Sequence, residues 1–225
     1  MKIMKFAFYT FFSVASLFIF TACSADHKTA DHKLPILGRV DYVEKKIGDQ
    51  IVIDTVYHKV ADFQFVDQDS ALITPQTFEN KIYVTDFFFT SCPTICPLMK
   101  KQMLRVYEAF ENNNEVVLLS HTIDPEYDTV ALLHEYAQRL GVKSDKWHFV
   151  TGEKDAIYEA AQKSYMVTAD KDNNAPGGFI HSGAFILVDK DRRIRGIYDG
   201  TKPEEVDHMM QDMQHLLQEY QNTEV

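Results

Sequence analysis

From Pro35 onward the chain alternates short apolar runs with longer stretches in which apolar residues recur every three or four positions, the rhythm of strands followed by helices. Residues 38–44 and 50–57, on either side of a Gly48-Asp49 turn in residues 45–49, predict a β-hairpin, and residues 62–66 a further short strand. Residues 81–89 hold Ile82-Tyr83-Val84 and Phe87-Phe88-Phe89, a nearly continuous apolar run of the kind buried on both faces of a sheet. Met99, Met103, Val106, Tyr107 and Phe110 then recur at helical spacing up to the polar stop Asn112-Asn113-Asn114. Residues 115–123 read as a second buried strand. Asp128 is placed to cap a helix carrying Leu132, Leu133, Tyr136 and Leu140, which Gly141 closes. A third strand at 147–150 and a third helix at 153–165 follow. Residues 184–188 and 193–198 form a second hairpin around Asp189-Lys190-Asp191, and 202–220 a last helix. This order predicts an α/β sandwich with a central mixed sheet and an N-terminal β-hairpin extension.

Composition adds an address and removes some partners. With 225 residues, 45% hydrophobic and 25% charged, the chain suits a globular core. Its formal charge of -10, from 33 acidic against 23 basic side chains, argues against nucleic acid and against electrostatic attachment to anionic lipid. Lys2 and Lys5 precede an uncharged apolar stretch, 6–22, which ends in Thr21-Ala22-Cys23 and resembles a bacterial lipoprotein signal. The resemblance implies a cut before Cys23 and its acylation, although Phe20 stands where Leu is usual. The alternative is an uncleaved anchor, short for a spanning helix. Either way the domain is expected outside the cytoplasm, on the membrane of the cell envelope. The expected division is 1–22 signal, 23–55 tether and hairpin, and 56–225 the main domain. The paired motif Ala25-Asp26-His27-Lys28 and Ala30-Asp31-His32-Lys33 reads as a solvated linker.

With Cys23 assigned to lipid, Cys92 and Cys96 are the two remaining cysteines. A spacing of four would set both sulfurs on one face of the first helical turn, able to grip a soft metal ion or to close a disulfide. As a mere staple the pair would do little, since so short a loop restrains the unfolded chain by roughly 2 kcal/mol. Outside the cytoplasm disulfides persist, so both chemistries stay open. A cysteine pair at the top of the first long strand, opening the first helix, is the thioredoxin arrangement.

The run from Phe87 to Pro97, then Ile123-Asp124-Pro125-Glu126-Tyr127-Asp128-Thr129, then His181 just before Ala184-Phe185-Ile186-Leu187-Val188-Asp189, resembles the Sco/SenC family over roughly residues 56 to 221. The resemblance implies a membrane-anchored, thioredoxin-fold copper protein that helps build the dinuclear copper centre of cytochrome c oxidase, with Cys92, Cys96 and His181 holding the metal. Its implied partners are the oxidase subunit that receives copper and either a thiol reductant or another copper chaperone. Asp124 would shape the site from behind the ligands. Thr94 stands where relatives often carry Asp, and Tyr127 where they often carry Arg.

The donor chemistry agrees with copper, because soft sulfur selects Cu(I) and imidazole suits both oxidation states. A structural zinc site wants a fourth protein ligand, and none stands out. Pro176-Gly177-Gly178-Phe179-Ile180 reads as a loop able to carry His181 over the cysteines. His121 and His148 fall in strand-like runs and read as packing residues. In the Met-rich stretch, Val206, Met209, Met210, Met213, Leu216, Leu217 and Tyr220 make one core-facing helical stripe. Three functions remain: a copper metallochaperone, a thiol-disulfide oxidoreductase using Cys92 and Cys96, and, least, a peroxidase, for which no Arg is paired with a cysteine.

Overall fold

The central sheet has seven strands, and its three middle ones are buried along their whole length. The computed structural model describes residues 33–172 and 179–222 and, of Lys171, Ile180 and His181, the backbone alone. The apolar leader, Cys23, the His27 and His32 motifs and Pro176-Gly177-Gly178 lie outside the described residues. In chain order the elements are β1 Val40–Ile47, β2 Gln50–Tyr57, β3 Phe65–Asp67, β4 Leu72–Ile73, β5 Ile82–Phe88, α1 Cys96–Phe110, β6 Val116–Thr122, α2 Val130–Leu140, β7 Trp147–Thr151, α3 Lys154–Glu159, β8 Ala169–Lys171, β9 Phe179–His181, β10 Ala184–Val188, β11 Ile194–Asp199 and α4 Pro203–Gln221.

The strand order is β11-β10-β5-β6-β7-β3-β4. β5, β6 and β7 run parallel, and the flanking strands are antiparallel. This is the thioredoxin-like α/β sandwich that the sequence predicts, and parallel strands joined by helices explain why the middle strands are buried on both faces. α1 turns Met99, Met103 and Val106 into the core, and α4 buries Val206, Met209, Met213, Leu216 and Leu217. The Met-rich stretch is therefore packing. His121 and His148 are buried too, His121 against the Phe87 ring at 4.7 Å and His148 with Nδ1 2.9 Å from Asp67.

Several local readings change. The cap of α2 is Thr129, whose Oγ1 accepts from the Leu132 N–H at 3.3 Å; Asp128 is engaged elsewhere. Gly141 closes that helix at φ 69°, as expected. The third helix is α for six residues, then widens into a π turn, Ala160–Ser164, that presents Ser164 to the Ala61 N–H and to His58 Nε2. Residues expected as loop before His181 include β9, which pairs with β8 so that Ala169 faces His181.

β1 and β2 pair over eight residues each in a separate two-stranded ribbon whose turn uses Gly48 at φ 61°. Its stem is fixed by Leu37, bonded through its N–H to Ile194 O at 2.8 Å, and by Val60, bonded to Arg192 O at 2.9 Å. At Gly38 a Cβ would stand 2.7 Å from that of His58, so only glycine lets the two legs close there.

Candidate metal centre

β5 ends at Phe88 and passes the chain directly into the cysteine loop. Asp128, fully buried, fixes that loop: its carboxylate accepts from the Thr90 N–H at 3.1 Å, from the Thr90 hydroxyl and from the Thr122 hydroxyl. The Cys92 N–H then closes a turn on Phe89 O at 3.2 Å. Because the chain is held this way through Cys92, helix begins only at Cys96. The expected helical stacking of the two cysteines is thus replaced by a loop sulfur facing the first sulfur of a helix. Pro97 sits in the first turn, where its missing N–H leaves no bond unmade.

Both cysteines are buried, exposed at only 8% and 7%, and their side chains hydrogen-bond each other. Cys92 Sγ also lies 3.6 Å from Thr94 Oγ1. Burial opposes ionisation of Cys92, but the Cys96 thiol and the N–H groups of Thr94 and Cys96 outweigh it and hold the Cys92 thiol below its ordinary value. Cys96 goes the other way, pushed up by burial and then by its neighbour Cys92. The pair is electrically asymmetric, with Cys92 the readier thiolate.

His181 enters this region along β9. Two residues before it, the Phe179 ring packs on Phe89 with centroids 5.1 Å apart. Two residues after it, Gly183 abuts the Ile95 side chain, at 3.6 Å from the position of a Cβ there. The strand carrying His181 is therefore held against the cysteine loop from both sides, while its imidazole lies outside the described atoms. Among the described residues no three His, Cys, Asp or Glu side chains converge as a metal cluster. Asp124 is half-buried beyond β6, its carboxyl raised by burial and then by Asp128 and Glu126; its backbone N–H bonds Thr122 Oγ1 at 3.0 Å. The acid that touches the cysteine loop is Asp128.

Residues 54–218 match the family model SCO1/SenC. The chain belongs to the SCO1/SenC family. A SCO1 protein homolog of Bacillus subtilis is 29% identical over 168 residues, covering 74% of this chain and 86% of the relative. A SCO1/SenC family lipoprotein from Bacillus anthracis superposes with TM-score 0.65 at 26% identity, over 71% of this chain and 95% of that one. BsSco, described as a member of the Sco family of cytochrome c oxidase assembly proteins in which a disulfide switch was identified, superposes with TM-score 0.63 at 28% identity, over 71% and 93%.

A second acid in this SCO1/SenC chain was not foreseen. Asp86, within buried β5, lines with Cys96, Phe88, Met99 and Tyr136 a cavity of about 10 Å³, near the size of one water. Burial pushes its carboxyl up to about 7, against the hydrogen bond from Ser120, which lowers it. Its folded value thus exceeds its ordinary value of 3.8, so the folded chain holds the proton longer and stability is lost as pH rises from about 4 to about 7. Asp86→Asn is expected to flatten that decline in the metal-free, reduced protein and to stabilise it at pH 8 by ~2–4 kcal/mol. Urea unfolding at pH 5 and pH 8 checks this; the same pH slope in both proteins would refute it.

Proposed function

We propose that this chain is a membrane-anchored copper metallochaperone that carries copper on Cys92, Cys96 and His181 and assists assembly of the dinuclear copper centre of cytochrome c oxidase. The observation that carries the reading is the mutually bonded thiol pair, with the strand of His181 packed against its loop by Phe179 and Gly183. Two soft sulfurs suit Cu(I), and one imidazole would let the same set accept Cu(II). Membership of a family with oxidase-assembly proteins in it supports the choice of recipient. Thr94 and Tyr127, both exposed, would meet the recipient without the charge that relatives often carry there. Anchoring rests on the apolar segment 6–22 and Cys23, with the domain on the outer side of the membrane.

The reduced chain is expected to bind one copper ion, and the Cu(II) form to show intense sulfur-to-copper charge-transfer absorption. Metal analysis and an absorption spectrum suffice; stoichiometric zinc with no copper would overturn the reading.

The asymmetry of the two thiols favours a second activity on the same residues. A Cys92 thiolate would attack a partner disulfide, giving a mixed disulfide, and Cys96 would then displace it. Two electrons pass, leaving a partner dithiol and a Cys92–Cys96 disulfide. That exchange would ready recipient cysteines for metal.

A further inference from the structure

Among the described residues, the ribbon of β1 and β2 carries nine of the fourteen exposed large hydrophobic side chains. Residues opposite each other in an antiparallel register share a face, so the register places Val40, Tyr42, Ile51, Ile53 and Tyr57 together on one side, with Glu44, Lys46 and Thr55 between them. Tyr42, Ile51 and Ile53 are exposed at 73%, 69% and 67%. The other side carries Val43, Val52, Val56 and Ile47 among Asp41, Asp54, Lys45 and Gln50. A lone two-stranded ribbon is marginal in water, and both faces are open among the described residues, but the first carries the three most exposed apolar side chains and both tyrosines of the ribbon.

We propose that this face rests on the membrane interface of the bilayer to which the chain is anchored, a zwitterionic lipid surface, with the cysteine pair turned away from it. The inference builds on the anchoring part of the function proposed above. Its support is where the undescribed chain ends. The apolar segment stops at Ala22, and only ten residues lie between Cys23 and Leu34, which is tied to Glu219 and Arg195. The eleven Cα–Cα steps from Cys23 to Leu34 span at most ~40 Å. The ribbon begins six residues later, so an anchored chain keeps it within reach of lipid. Tyrosines beside aliphatic side chains suit the interface, and Glu44 and Lys46 on the same face keep it lying on the surface, where water still serves the open strand edges.

A second copy is a poor occupant, because two chains of formal charge -10 repel one another. The charge of -10 removes attraction to anionic lipid, leaving apolar contact as the source of binding.

Orientation follows from the sheet. The ribbon's stem bonds to Arg192 and Ile194 at the start of β11; Ile194 pairs with Val188, and Val188 with Tyr83 near the start of β5. The cysteines follow the end of β5. Ribbon stem and cysteine pair therefore lie at opposite ends of the central strands.

The test uses the full chain in phosphatidylcholine vesicles, with Tyr42→Trp and Val43→Trp reporting the two faces and the one native tryptophan, Trp147, buried as an internal reference. Brominated phosphatidylcholine is expected to quench Tyr42→Trp at least three-fold more than Val43→Trp, in protein that floats with the vesicles. Unchanged Trp147 emission reports an intact fold. Flotation with neither probe quenched, or with both quenched equally, overturns the proposal while leaving the anchor standing. Failure to float overturns both. Concentration-dependent dimers whose formation protects Tyr42→Trp without lipid would give the face to a second copy and overturn it as well.

Discussion

Cys92→Ser is expected to abolish copper binding and to reduce cytochrome c oxidase assembly in cells to background. A serine hydroxyl is a hard, protonated donor at neutral pH, so the substitution removes the more readily ionised of the two soft sulfurs while leaving the shape nearly unchanged. His181→Ala separates the two activities. It should lose assembly as fully as Cys92→Ser, yet its cysteine pair should still exchange with a small disulfide, because exchange needs no imidazole. Oxidase activity and a thiol-exchange assay run side by side measure both. Normal assembly in His181→Ala with loss in Cys92→Ser would make disulfide reduction the primary activity.

The second large effect concerns the clamp. Asp128→Ala strands three donors, the Thr90 N–H and the hydroxyls of Thr90 and Thr122, all of which end on its buried carboxylate. Each unmade bond costs about 1–3 kcal/mol, and since the three share one acceptor the total is expected near ~3–5 kcal/mol. The melting temperature should fall by roughly 10 °C. Thr129→Ala, which removes the actual helix cap, should cost only about 1 kcal/mol. Releasing Thr90 also frees the loop, so Cys92 should alkylate faster in Asp128→Ala. Urea unfolding of both variants decides the matter; a loss in Asp128→Ala no larger than that in Thr129→Ala would refute the clamp.

These residues also show where sequence reading succeeds and where it stops. The parallel middle of the sheet is legible because strands buried on both faces are mostly apolar, as in Ile82-Tyr83-Val84. The cysteine box and the stripe of α4 are legible for similar reasons of period and spacing. Asp128 and Thr129 are both good cap formers, and the choice between them was made by Thr90, 38 residues away. Asp86 is one acid in an apolar run and looks like an exposed strand position; only the packing of β6 and α1 over it reveals burial. β8 and β9 are three residues each, without alternation, and their pairing depends on neighbours distant in the chain. The helical stacking expected of Cys92 and Cys96 failed for the same kind of reason, since the hold on Thr90 delays the helix.

The burial of the methionines has a chemical consequence for a carrier of copper. Copper that cycles between oxidation states in the presence of dioxygen yields oxidants, and methionine is among the first side chains to be converted, to a polar sulfoxide that a packed core cannot accommodate. Met99, Met103, Met209 and Met213 are exposed by no more than 1%, so the sulfurs that hold the fold together are shielded from such damage. Of the described methionines, Met166, 38% exposed at the end of the π turn, is left to be oxidised first, at a place where a sulfoxide can be solvated without disturbing the sheet.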